Sequence, residues 1–221
     1  MKLKRKTFGF LLGVVATLAA VLVLSLVFRE EYPSRQTANR TFVIDEDFTA
    51  VRKILVRNEA AKQIVTLGGG SEYLDDDMDA IGLESGKPLD QLLNPDWRVH
   101  ANGTLRVRTK DPYIGENEIA LAQDVEITTD LLHSESRLKE PKGRLKEYDM
   151  KTYFDRDEAT GKSRVSLELT QQILTDAPFW AHFIADRRVL QSAERTLANQ
   201  ETAIRQLIAE NIDDVPLFPL R

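Results

Sequence analysis

The chain contains no cysteine among its 221 residues. Disulfides, a lipid-carrying cysteine and a thiol nucleophile are all excluded, so a folded body must be held by its apolar core, which ~190 residues can supply as one domain. Histidine is almost as scarce. His100, His133 and His182 lie far apart and none forms a recognised His/Asp/Glu metal-ligand spacing, so zinc ligation has little support. Gly68-Gly69-Gly70 lacks the spacing of a dinucleotide loop and reads as a connector. Asp75, Asp77 and Asp79 alternate as in a calcium loop, but Ala80 stands where such a loop needs glycine and Gly86 where it needs a bidentate glutamate. No carboxylate pair or nucleophile with a recognisable base can be located, so no catalytic residue, metal or cofactor is expected.

Charge is missing from one place in particular. Phe8 to Phe28 carries no charged residue, and at ~1.5 Å per residue such a run reaches about 30 Å, the thickness of a hydrocarbon core. Lys2, Lys4, Arg5 and Lys6 precede it, which predicts a cytoplasmic N-terminus over residues 1–7 and a single-pass signal-anchor over 8–28. The rest would be an extracytoplasmic body, periplasmic or at the cell surface. A cleaved signal is the competing reading, though the run is long for one and ends Ser25-Leu26-Val27-Phe28. The formal net charge is −5, and removing the leading basic residues leaves the body more acidic still. Nucleic acid and anionic headgroups are therefore discounted as partners. Residues 29–40, rich in polar residues around Pro33, read as a juxtamembrane linker. Asn39-Arg40-Thr41 and Asn102-Gly103-Thr104 match the short glycosylation pattern, which is common by chance.

Within the body, Phe42-Val43-Ile44 is strand-like, and Asp45 or Asp47 can cap a helix with Phe48, Val51, Ile54 and Leu55 on its apolar face, a stripe that Ile64 and Val65 could extend. An acidic, irregular region is expected from Glu72 to about Asp96, with a weaker helix near Leu89 to Leu93. From Trp97 the period becomes two. Leu105 and Val107, then Ile119, Leu121, Val125 and Ile127, then Tyr148, Met150, Thr152 and Phe154, then Val165, Leu167, Leu169 and Ile173 each share a parity. Turn chemistry at Asn102-Gly103, Asp111-Pro112, Gly115-Glu116-Asn117, Pro141-Lys142-Gly143 and Asp157 to Lys162 predicts an antiparallel meander with one buried face.

That face needs a cover. Asp176 to Ile212 reads as one long amphipathic helix, with Phe183, Leu190, Leu197 and Ile204 seven apart and Trp180, Ala193, Leu207 and Ile208 widening the stripe. Thr175 or Asp176 would cap it, and Pro216 and Pro219 would stop it short of a tail over 213–221. Its heptad would also suit a partner helix, leaving a protein partner as the alternative to packing on the chain's own sheet.

Strand, helix, irregular helical piece, antiparallel strands and a long last helix over residues 41–212 form an α+β order. With the opening Phe42-Val43-Ile44-Asp45-Glu46-Asp47-Phe48-Thr49-Ala50-Val51, it resembles the helix-grip superfamily, also called START-like or SRPBCC. The resemblance is one of topology and implies an antiparallel β-sheet gripping the C-terminal helix, with a hydrophobic ligand held between them. Gln123 shares the parity of Leu121 and Val125, and Gln171 that of Leu169 and Ile173. Either both amides line such a cavity or each lies past the buried zone or at a bulge. Phe179, Trp180 and Phe183 could line its mouth, or be plain core. Two functions follow: a membrane-anchored domain binding an apolar or lipid-like small molecule, or a cell-envelope scaffold engaging a protein through the long helix or the acidic region.

Overall fold

The computed structural model describes residues 14–17, 19–21, 23, 29–56, 60–79, 98–112 and 114–214. Seven strands form one antiparallel sheet in the order β1-β7-β6-β5-β4-β3-β2. They are β1 (Arg29–Asp47), β2 (Ser71–Asp79), β3 (Val99–Asp111), β4 (Gly115–Ile127), β5 (Leu131–Leu138), β6 (Leu145–Arg156) and β7 (Lys162–Pro178). Between β1 and β2 lie α1 (Phe48–Leu55) and α2 (Ala60–Gly68), and after β7 a short 3-10 turn (Phe179–Ala181) leads into α3 (His182–Asn211). Strands β2 to β7 follow one another as a meander, while β1 returns to the far edge beside β7. Helix α3 packs on β1, β7 and α2.

The local chemistry explains most of these elements. The Asp47 carboxylate accepts from the Thr49 amide at 2.8 Å, capping α1, and turns Phe48, Val51 and Ile54 into the core. In β7 the residues of one parity, Val165, Leu167, Leu169 and Ile173, are almost wholly buried, as alternation predicts. Gly69 has φ +67, a left-handed conformation that lets the chain leave α2 and enter β2 in a tight turn.

Several expectations are corrected. Residues 29–40 are not a linker: they are the first part of β1, which runs for 19 residues along β7 without a break until Ile44. Its inward positions there are Ser34 and Ala38, small because α3 lies close above them, so no apolar alternation announces the strand. Pro33 is tolerated because β1 is an edge strand. The acidic stretch is not irregular throughout, since Ser71–Asp79 pairs with β3 as the opposite edge. Acidic side chains on an exposed edge oppose sheet-to-sheet aggregation. Asn102-Gly103 is no turn but lies inside β3, paired with Asp124 and Gln123. Ile64 and Val65 belong to the separate helix α2, and β5 has no counterpart among the expected strands.

The long helix begins later than its periodicity implies. β7 continues through Pro178, so neither Thr175 nor Asp176 is a cap, and the helix proper starts at His182. Its buried stripe is Ala185, Val189, Ser192, Ala193, Leu197, Ala203, Ile204, Leu207 and Ile208, with Leu190 partly buried and Phe183 exposed. The sheet, in which β7 and β1 stay paired beyond the end of β6, displaced the helix start by six residues. The expected weaker helix near Leu89 to Leu93 and the tail beyond residue 214 lie outside the described residues. So does most of the expected span 8–28; its described positions 14–17, 19–21 and 23 are helical and exposed. Among the described residues no helix is long and apolar enough to cross a membrane.

Candidate functional site: a cavity between sheet and helices

The sheet does not close fully onto its helices. A cavity of about 1050 Å³ lies between the inward face of β3, β4 and β6 and the three helices, lined mostly by apolar surface and partly open to solvent. Leu105, Leu121 and Ile119 from β3 and β4 and Leu145, Met150 and Phe154 from β6 supply much of its wall. The exposed lining residues Lys53, Val56, Lys62 and Asp76 mark its rim, on α1, α2 and β2. Such a volume is at the upper end of small-molecule sites, and too large to be a packing defect.

Polar groups enter this apolar wall at a few points. Gln171 is 1% exposed, and its Nε2 donates to the Val189 carbonyl of α3 at 2.9 Å. It ties the sheet to the helix at the cavity edge. Gln123 donates from Nε2 to the Ser136 Oγ at 3.3 Å, across the β4–β5 ladder. Both amides sit on regular stretches of ladder, so parity holds and neither lies at a bulge. Tyr148, the ladder partner of Gln171, is partly buried and lines the cavity. Its hydroxyl faces the Met150 Sδ at 3.9 Å, a weak acceptor, and burial pushes its pKa up to about 12. Ser192, wholly buried on α3, donates to the Asp111 Oδ2 at 2.9 Å, and the other Asp111 oxygen accepts from the Ile114 amide at 3.1 Å. That carboxylate therefore closes the β3–β4 turn and anchors the helix to it.

At the rim, the Tyr73 hydroxyl donates to the Asp76 carboxylate, which pushes the Tyr73 pKa up to about 12. Arg52 reaches the carbonyls of Thr128 and Thr129, each at 2.7 Å, fixing α1 to the β4–β5 turn. Burial lowers its pKa. Among the described residues no cluster of three His, Cys, Asp or Glu could hold a metal.

Of the five residues singled out from sequence, the structure brings two to the cavity wall, Gln123 and Gln171. Phe179, Trp180 and Phe183 are not there. They are 71%, 44% and 69% exposed, on the turn before α3 and its first turn, away from the cavity lining. Sequence reasoning missed Ser134 and Ser136, because the strand that carries them, LLHSESRL, has no sustained alternation. It also missed Asp111–Ser192, for which a serine within the apolar stripe of the last helix was the available signal.

An antiparallel sheet wrapped on a long C-terminal helix, with a cavity between them, defines the class: this is a helix-grip fold. The chain is similar in structure to a protein of unknown function from Staphylococcus aureus, at a TM-score of 0.54 and 8% identity over 82% of this chain and 98% of that one. It is also similar to a protein from Thermus thermophilus, with a TM-score of 0.47 and 13% identity over 79% of this chain and 98% of that one. A START superfamily protein from Mycobacterium smegmatis aligns at a TM-score of 0.45 and 10% identity, over 79% and 97% of the two chains. At such identities the likeness is one of fold. No protein-family model and no curated protein matches the chain in sequence.

Proposed function

We propose that the chain is a membrane-anchored, extracytoplasmic binding domain that takes an apolar or lipid-like small molecule into the space between sheet and helices. The observation that carries this reading is the cavity itself: about 1050 Å³ of mostly apolar space, partly open to solvent. Unfilled apolar volume on this scale forfeits dispersion contacts along its whole wall, a cost that an apolar occupant removes. The sparse donors and acceptors, Tyr148, Gln123 and Ser136, would orient such a molecule, while Lys53, Lys62 and Asp76 would keep its polar end hydrated at the rim. Anchoring is supported by the uncharged run 8–28 behind Lys2, Lys4, Arg5 and Lys6, and by the exposed, helical Val14, Val15, Val21 and Val23 within it.

A protein partner along the last helix finds less support, because Leu197, Ile204, Leu207 and Ile208 of the expected seam are buried on the chain's own sheet. The test is photolabelling of the full chain in vesicles with a diazirine-bearing fatty acid. Adducts on the peptides carrying Leu121 and Tyr148, lost when excess unlabelled fatty acid is added, support the reading. Adducts confined to residues 8–28 sink it.

A further inference from the structure

Among the described residues outside 8–28, four of the seven exposed large apolar side chains gather in one place. Phe179, Trp180, Phe183 and Ile184 lie within six residues, on the 3-10 turn and the first turn of α3. Their position in the fold is specific. The turn follows directly on Pro178, the last residue of β7, and Pro178 pairs with Arg29, the first residue of β1. Arg29 in turn follows directly on Phe28, the last residue of the uncharged run. One rung of the ladder, about 5 Å, therefore separates the start of β1 from the residue preceding the patch.

This corner stands proud of the body. The pairing of β6 with β7 ends at Leu145 and Ile173, whereas β1 accompanies β7 as far as Pro178. Thr175–Pro178 and Arg29–Tyr32 thus make a two-stranded extension, reaching roughly 13 Å past the sheet at ~3.3 Å per residue. The extension is braced against the helix that carries the patch. The Asp186 carboxylate accepts from the Ser34 hydroxyl at 2.6 Å and from the Tyr32 hydroxyl at 3.1 Å, His182 stacks on the Tyr32 ring at 3.7 Å, and Ala177, Ala181 and Ala185 pack beside Tyr32. The patch cannot swing away from the start of β1 without breaking these contacts.

We infer that Phe179, Trp180, Phe183 and Ile184 insert into the interfacial layer of the same bilayer that residues 8–28 span, and so fix the orientation of the domain on the membrane. The inference rests on the anchoring reading above. A chain leaving the hydrocarbon core at Phe28 puts Arg29 in the headgroup layer, which is ~5–8 Å deep. With no linker in between, a partner strand one rung away enters that layer too. Tryptophan and its aromatic neighbours are the side chains that gain most there, because ring and polar edge match the two sides of the boundary. A protein partner would have to displace lipid already in place. The contact is apolar rather than electrostatic, in keeping with the net charge of −5, so neutral lipid suffices.

The absence of native cysteine makes the test direct. The full chain, as Phe183→Cys and separately as Glu158→Cys, is spin-labelled in phosphatidylcholine vesicles, and collision of each label with oxygen and with a water-soluble nickel chelate is compared. Glu158 is exposed in the β6–β7 turn, at the opposite end of β7. Carbonate extraction is run on the same vesicles, and circular dichroism confirms that both variants fold. The expected result is a chain that resists carbonate, with an oxygen-to-nickel accessibility ratio several-fold higher at position 183 than at 158. A carbonate-resistant chain whose two labels read alike overturns the patch and leaves the anchor standing. A chain stripped by carbonate overturns the anchor, and the patch with it. Quenching of Trp180 by brominated phosphatidylcholine in a Trp97→Phe chain is an independent check, with strong quenching expected and none refuting the insertion.

Discussion

The space between sheet and helices makes two leucines of the same core respond differently to added volume. Leu121 on β4 faces the cavity, whereas Leu169 on β7 is wholly buried and lies outside the lining. Replacing leucine by tryptophan adds roughly the volume of two waters, ~60 Å³. Against about 1050 Å³ of open space this is a small intrusion, so at Leu121 the larger ring needs only a rotamer that points inward. At Leu169 no such space exists, and overpacking forces strained rotamers and strand shifts that cost about 1–3 kcal/mol. Leu121→Trp is therefore expected to stay within about 1 kcal/mol of the parent, since added apolar contact offsets residual strain. The measurement is the urea midpoint of the full chain in bicelles by far-UV circular dichroism, with the slope checked for constancy. Leu121→Trp should also reduce photolabelling by the fatty-acid probe, because it occupies the same space. Equal destabilisation by Leu121→Trp and Leu169→Trp would refute the argument, as it would mean that the wall at Leu121 has already collapsed.

Two other outcomes follow from named contacts. Asp186→Ala removes the acceptor of both the Ser34 and the Tyr32 hydroxyls, and loss of hydrogen bonds to a charged group should cost about 1.5–3 kcal/mol; faster amide exchange over residues 29–36, with the β3–β4 amides unaffected, is the expected readout. Tyr148 and Tyr73 should both titrate late, near pH 12, but for different reasons: Asp76→Asn should bring Tyr73 back toward 10 and leave Tyr148 where it is. Because the folded pKa of Tyr148 lies above its unfolded value, its contribution to stability is full below pH 10 and is lost as pH rises toward 12, so Tyr148→Phe should lessen alkaline destabilisation in that window.

The sequence by itself determined most of the helix-grip order, because a period-two run such as that of β7 and a long amphipathic helix are local signals, whereas the turn residues Asn102-Gly103 folded as strand and β5 carried no such period. It also determined the inward parity of Gln123 and Gln171, since side-chain direction in a regular strand alternates whatever lies above it. Tertiary structure alone decided three other things. Residues 29–40 became strand because β7 offered an unpaired edge and α3 a close cover that only Ser34 and Ala38 fit under. The last helix began at His182 rather than Asp176 because that same pairing held Asp176, Ala177 and Pro178 extended against β1. And Phe179, Trp180 and Phe183, whose spacing suits a buried stripe, ended outside the core because the two-stranded extension carries them past the sheet they would have packed on. Helical spacing shows which residues share a face; what that face meets depends on where the neighbouring strands stop.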